Sequence, residues 1–188
     1  GAVIAGPSGQ ASKPVLPSAS FDTRLQQAAA AIDDGKFDQA LGLVKSAEDA
    51  GTLAKREADW AAYLRARALV ATGQAKDAEK IIRERQRAYP NAYNWASLVS
   101  ILSSCGLHEE AAKAILDLDD SSFLLVNRLR HGLMESILNA LETAKSPLRD
   151  GLVARLVEGR YTGPSAVHVP DTIRLRYIAL QLRQNRIE

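Results

Sequence analysis

Several residue types that mark catalytic, secreted or membrane proteins are scarce in this chain of 188 residues. The single cysteine, Cys105, excludes an internal disulfide, and we expect a buried, unreactive thiol where a helix ends against its partner. No apolar run reaches the length of about 18 residues that a membrane span needs, so the sequence predicts no membrane insertion. The N-terminal residues lack the pattern of an intact signal peptide, and the sequence leaves open whether the compartment is the cytoplasm or the periplasm or another exported location.

The charges of the two signs are nearly balanced, and aromatic residues are few. The chain has 24 Lys and Arg against 22 Asp and Glu, a net charge of +2, which is too small to indicate nucleic acid or an anionic membrane as partner. Residues 145–188 hold 8 basic and 4 acidic side chains, and we interpret this excess as a solvated helical surface. Aromatic residues make up only 5%, which favours close helix–helix packing over a β-sandwich.

Catalytic and metal-binding motifs are missing as well. His108, His131 and His168 each stand without a neighbour at ligand spacing, and no zinc-protease, paired-cysteine or nucleophile-elbow motif occurs. The acidic run at residues 117–120 is explained by helix capping more simply than by cation binding. The sequence therefore predicts no enzyme, no metal site and no cofactor.

What the chain does have is a repeated glycine. Gly35, Gly73 and Gly106 are each followed five residues later by an alanine, and the glycines are 38 and 33 residues apart. Such a period is typical of helical solenoids. Glycine can take the left-handed turn between two antiparallel helices, and alanine lets the second helix approach its neighbour closely. We therefore expect an all-α chain with turns at these three glycines.

Capping and breaking signals place the helices. They predict helices up to residue 34 and over 38–50, 54–71, 76–88, 93–104 and 109–118. Beyond residue 120 the pattern loosens, with helices expected at 123–145, 146–157 and 172–184 and a loop at 159–170. Residues 1–20 are rich in glycine, proline and serine and are predicted to be a linker or disordered. The expected organisation is three hairpins over 21–120, with residues 121–188 extending or capping them.

The three hairpins resemble tetratricopeptide repeats over about residues 21–120. The third unit carries the pattern best, and the other two keep its small and branched positions. The matching residues are Trp95, Leu98, Leu102, Gly106, Ala111 and Ile115; then Ala66, Leu69, Gly73, Ala78, Ile82 and Pro90; then Ala31, Gly35, Phe37, Ala40, Val44 and Ala47. The resemblance implies a helix–turn–helix repeat solenoid with irregular C-terminal helices.

The resemblance also implies where a partner binds. In such arrays the first helix of each hairpin lines a concave face that accepts a peptide. The expected contact residues on that face are Trp60, Tyr63, Arg67, Tyr93, Ser97 and Ser100. They form an aromatic and hydroxyl-rich surface with one fixed charge, and aromatic and arginine side chains are frequent anchors of binding. The expected function is a non-enzymatic scaffold that binds a peptide or partner protein and no nucleic acid. The alternative for Trp60 and Tyr63 is that they pack against the preceding helix or the long connection.

Two other functions stay open. One is a regulatory or substrate-positioning segment of a larger enzyme or cell-envelope machine, which a contact of Cys105 or a histidine with a carboxylate in a pocket would favour. The stretch Tyr93–Leu98 also resembles a pentatricopeptide unit, whose family binds single-stranded RNA along a basic groove, and a continuous basic stripe would favour that function.

The C-terminal helix resembles the first helix of a further unit, with Asn185 at the turn position. Its predicted apolar stripe runs through Ile173, Tyr177, Leu180 and Ile187. If the chain is part of a longer array, this stripe should be bare or packed against a second copy, so we expect self-association through it. The alternative is a plain capping helix.

Overall fold

The computed structural model describes residues 21–123, 131–158 and 169–184, and the described residues are all-α, with no strand. Nine helices lie in these ranges, and residues 120–123 are helical as well. In chain order the helices are α1 (Thr23–Asp33), α2 (Phe37–Asp49), α3 (Lys55–Ala71), α4 (Ala75–Ala88), α5 (Ala92–Ser104), α6 (His108–Leu116), α7 (His131–Thr143), α8 (Leu148–Glu158) and α9 (Asp171–Arg183).

Three glycine turns join α1 to α2, α3 to α4 and α5 to α6, as predicted. Gly35, Gly73 and Gly106 have φ of 75°, 81° and 78°, the left-handed region that side chains disfavour. After each glycine, the next residue donates its N–H back to a carbonyl in the last turn of the preceding helix, over 2.7 to 2.9 Å. This hydrogen-bond pattern ends the first helix of each hairpin and reverses the chain.

The alanines that follow the glycines lie at the helix contacts. Ala40, Ala78 and Ala111 are fully buried, and a branched residue one turn later is buried beside each of them. The helices pack in sequence, and the first helices α1, α3 and α5 also contact one another, α1 with α3 and α3 with α5. This second set of contacts places the three first helices side by side, so that together they form one surface.

The C-terminal region contains a hairpin without a glycine turn. Lys145 lies between α7 and α8 with φ 53°, and the N–H of Ser146 donates to the carbonyl of Leu141 over 2.9 Å, the same pattern as in the glycine turns. Ser146 caps α8, because its Oγ accepts from the N–H of Leu148 over 3.3 Å. Helices α7 and α8 both contact α6. The predicted helix over 123–145 crosses residues 124–130, which lie outside the described residues.

The C-terminal helix differs from its prediction. Ile173 and Leu180 are buried in the chain's own core, and the half-buried Tyr177 donates its hydroxyl to Glu158 Oε1 over 2.6 Å. The expectation of a bare stripe through these residues is therefore wrong, because α9 turns that side toward α8. The opposite side is the bare one, with Leu175 65%, Ile178 46% and Leu182 60% exposed.

The remaining predictions for the termini fall outside the described residues: the linker at 1–20, most of the loop at 159–170, and the positions of Asn185 and Ile187. Among the helices that the structure describes, none is both long enough and apolar enough to cross a membrane.

Candidate functional site

Five of the six predicted contact residues lie half-buried on the surface of the first helices: Trp60, Tyr63, Arg67, Tyr93 and Ser100. The rings of Tyr63 and Tyr93 meet edge to face, with centroids 6.4 Å apart. The Tyr63 hydroxyl lies 3.4 Å from Ser100 Oγ, and the Arg67 guanidinium lies 6.0 Å from the Tyr63 ring. These four residues form one cluster across α3 and α5, which we call the tyrosine patch.

Ser97 is not part of this surface. Its side chain is fully buried, whereas the prediction placed it on the concave face. The reason is the rotation of α5: Asn94, one turn earlier on the same side, donates its side-chain amide to Asp59 of α3 over 3.0 Å. That side of α5 therefore packs against α3, and a partner cannot reach Ser97.

A cleft opens beside the tyrosine patch, at the N-terminal ends of α3 and α5. Its volume is about 540 Å³. Trp60 stands edge-on to Phe21 with ring centroids 5.1 Å apart, so the two rings form one wall. We call this feature the aromatic cleft; it is lined by Phe21, Lys55, Arg56, Asp59, Trp60, Asn91 and Tyr93. Tyr93 belongs to both the cleft and the tyrosine patch, so the two features form one continuous surface.

A buried carboxylate lies at the base of the cleft. Asp59 is only 4% exposed and accepts hydrogen bonds from Arg85 Nε over 2.6 Å and from the amide of Asn94. Arg85 in turn donates to the carbonyl of Lys55 over 3.3 Å and lies 4.2 Å from the Tyr89 ring centroid. These contacts tie α3, α4 and α5 together. Buried charges are normally paired in this way, because an unpaired one is costly.

Sequence reasoning missed Asp59. The signal for it was present, since Ala62 and Ala66 follow it at helical spacing and are themselves buried. A single carboxylate on a side of small apolar residues predicts a buried ion pair, although the sequence alone does not say which cation is the partner.

The mouth of the cleft is positively charged. Arg56 is exposed, and among the described residues neither Arg56 nor Lys55 forms an ion pair; Lys55 Nζ lies 5.0 Å from the Tyr89 ring centroid. Arg67, by contrast, is 3.5 Å from the carboxylate of Asp33. Lys55 and Arg56 thus add two cations beside the predicted contact residues, of which only Arg67 is charged.

The other candidate groups lie outside this surface. Burial, with a smaller contribution from the nearby Glu79 carboxylate, raises the pKa of the Cys105 thiol, whose sulfur contacts the carbonyl of Ala75 at 3.7 Å. His108 Nδ1 lies 3.2 Å from Ser103 Oγ. Among the described residues, neither shows the carboxylate contact that would favour the enzyme-segment alternative. The side chain of His131, and all of His168, lie outside the described residues.

The acidic run caps a helix, in agreement with its interpretation. Asp119 accepts from the hydroxyl and the backbone N–H of Ser122, over 2.6 and 2.9 Å, and these hydrogen bonds lower the pKa of its carboxyl. In the part of the chain that the structure describes, no group of three or more histidine, cysteine or acidic side chains is close enough together to hold a metal ion.

Comparison with known families places part of the chain. Residues 31–102, from the end of α1 through most of α5, match the tetratricopeptide repeat family. Comparison with curated proteins and with solved structures gave no match. The matched stretch spans the glycine turns at Gly35 and Gly73 and ends shortly before the third. Residues 31–102 are therefore similar to this family, and the repeated hairpins around them form a helical repeat solenoid.

Proposed function

We propose that the protein is a non-enzymatic scaffold that binds a segment of a partner protein across α1, α3 and α5. Tetratricopeptide repeats generally mediate protein–protein interaction. The observation that carries the proposal is the tyrosine patch, where two tyrosines and an arginine stay half-buried on a surface built by two first helices. Tyrosine and arginine are among the residues that contribute most to binding at protein interfaces.

The contacts within the patch support binding rather than oppose it. Tyr63 is held by the Tyr93 ring, by Ser100 and by the Arg67 guanidinium. Side chains that are already ordered lose less conformational entropy when a partner binds. The half-buried state also leaves part of each ring for the partner, so the patch serves both packing and recognition.

The RNA-binding alternative is less well supported. It needs a continuous basic stripe along the first helices. Within the described residues, Arg67 lies beside the Asp33 carboxylate, and the unpaired cations Lys55 and Arg56 are confined to one end of α3. Sequence-independent binding to a phosphate backbone depends on many cations in register, and this arrangement does not supply them.

A site-specific crosslinking experiment tests the proposal. A photo-reactive amino acid replaces Arg67 at the centre of the surface, and in a control protein it replaces Lys80, an exposed residue of α4. In cells of the source organism, we expect a discrete protein adduct from position 67 that is absent from position 80. Tyr93→Ala should weaken that adduct strongly. Equal adducts from both positions, or an adduct with RNA alone, would contradict the proposal.

The exposed side of α9 supports a second proposal, self-association. Leu175, Ile178 and Leu182 lie on one side of α9 at helical spacing, and each side chain is about half exposed or more. A stripe of this kind can pack against its own copy across a two-fold axis. We expect sedimentation over a hundredfold concentration range to show a dimer that Leu182→Glu abolishes. Ala88→Glu, which adds the same charge at an exposed position of α4, is the control.

A further inference from the structure

We propose that the aromatic cleft selects one kind of partner segment: a large apolar side chain, preferably aromatic, flanked by acidic residues. This inference rests on the proposed function and deepens it, because it gives the chemistry of the segment. The cleft lies beside the tyrosine patch and shares Tyr93 with it, so one extended segment can occupy both.

The walls of the cleft supply the apolar part of the argument. Trp60 and Phe21 present one edge-on pair, Tyr93 lines the cleft from α5, and Phe21 is 42% exposed. Aromatic rings favour edge-on or offset contacts with a further ring, and each such pair contributes beyond the area that it buries. The volume of about 540 Å³ falls within the range of pockets that enclose a small ligand, so it can hold one large side chain.

The charges decide between an acidic and a basic partner. Asp59, although it lines the cleft, cannot attract a cation, because Arg85 and the Asn94 amide already occupy its carboxylate. The charges that remain available are Lys55 and Arg56 at the mouth. A partner carboxylate next to the inserted ring would therefore meet two cations without an ion pair among the described residues. Such complementarity gives specificity and faster association, both of which weaken as salt is added.

The test uses the full chain with Trp95→Phe, so that Trp60 is the only tryptophan and its fluorescence reports on the cleft. The probes are pools of nine-residue peptides, acetylated and amidated, with a fixed central Phe or Ser flanked by Asp, Lys or Gly and mixed residues elsewhere. We expect the Asp-flanked Phe pool to bind at least about tenfold tighter than the Lys-flanked Phe pool and than every Ser pool. Raising the salt should reduce this difference.

Variants separate the two parts of the site. Arg56→Glu changes an exposed side chain, so it should fold normally, lower affinity for the Asp-flanked pool about tenfold and improve binding of the Lys-flanked pool. Lys80→Glu, an equal charge change on α4, should leave both affinities unchanged. Phe21→Ala should weaken every Phe pool alike, which separates the ring contact from the charge contact.

Three outcomes would overturn the inference: no response of Trp60 to any Phe pool, equal binding of Asp- and Lys-flanked pools, or equal effects of Arg56→Glu and Lys80→Glu. Any of these leaves the crosslinking result at position 67 unaffected. A partner that crosslinks there while the pools fail would retain the proposed function and remove only this assignment of its chemistry.

Discussion

The repeats and the C-terminal region reverse the chain in the same way. In each region a side chain joins neighbouring helices, but the two side chains carry opposite charges. In the repeats, the buried carboxylate of Asp59 holds α3, α4 and α5 together. In the C-terminal region the joining group is a cation: the Arg155 guanidinium of α8 donates to the carbonyls of Ile115 and Leu116 at the end of α6 and of Leu118 just after it. The guanidinium also lies 4.8 Å from the centroid of the Phe123 ring. The last carbonyls of a helix need donors, and Arg155 supplies them.

The two regions use different residues at the turns and at the helix contacts. The repeats use glycine turns and alanine contacts, whereas the hairpin of α7 and α8 uses Lys145 at the turn and buries Leu152 and Leu156 on its second helix. Its contacts run to the second helix α6. The C-terminal hairpin is therefore a variation of the same hairpin, packed in a different way.

The largest expected effect on stability is at Asp59, the joint of the repeats, where α3, α4 and α5 meet. Asp59→Ala should lower the free energy of unfolding by about 3 to 5 kcal/mol, because it leaves the Arg85 guanidinium without its carboxylate in a mostly buried place. Urea unfolding followed by circular dichroism measures the change. Asp59→Asn keeps the shape and should cost less. A loss below about 1 kcal/mol for the alanine variant would show that Asp59 does not hold the joint.

The next prediction exchanges small and large residues between the two regions. Leu152→Ala should cost about 3 kcal/mol, because it leaves a cavity at a fully buried site. Ala111→Leu should cost about 2 kcal/mol for the opposite reason, overpacking at a close helix contact. Leu152→Met is the volume-matched control. Unchanged unfolding midpoints for both main variants would mean that residue size does not distinguish the two hairpins.

The Arg155 contacts that hold α8 to the end of α6 should contribute less to stability than Asp59 does. Arg155→Met keeps the apolar stem but removes the donors to three carbonyls, so we expect a loss of about 2 kcal/mol. Arg183→Met removes an exposed pair with Asp150 and should change stability by less than about 0.5 kcal/mol. Equal effects in urea unfolding would show that the carbonyl contacts of Arg155 add nothing.

The smallest effect should come from exchanging the turn residues. Gly106→Lys should cost about 1 kcal/mol through backbone strain alone, since a Cβ there would meet no atom within 4 Å. Lys145→Gly should raise stability by about 0.5 kcal/mol, because it relieves the strain at φ 53° but loosens the unfolded chain. Lys145→Ala controls for the lost charge. A destabilised Lys145→Gly would indicate that the lysine side chain itself contributes to the turn.

The sequence predicted the first six helices closely because their boundaries depend on local chemistry. Each glycine at the turns and Pro90 near the end of α4 acts within a few residues, so the six helices begin and end close to the expected positions. The sequence did not predict the turn at Lys145, because a lysine rarely takes the left-handed conformation. The hairpin of α7 and α8 therefore lacked the signal that revealed the others.

The site was harder to predict than the fold because it depends on helix rotation and on distant partners. A small rotation of α5 decides that Ser97 is buried while Ser100 contacts Tyr63. The Asp59–Arg85 pair joins residues 26 apart, and Phe21, which precedes α1, meets Trp60 of α3. Which side of α9 is bare likewise follows from its packing on α8, because both sides carry apolar residues.

If a partner segment crosses α1, α3 and α5 as proposed, their side-by-side arrangement limits the length of segment that they can contact. Packed helices lie about 9 Å apart, so three of them span about 18 Å between the outer axes. An extended chain covers about 3.3 Å per residue, which makes this span about six residues long. A segment of that length holds one or two anchor side chains, so a single segment should bind with modest affinity. Strong binding would then require several copies of the segment, or several copies of the protein, acting together.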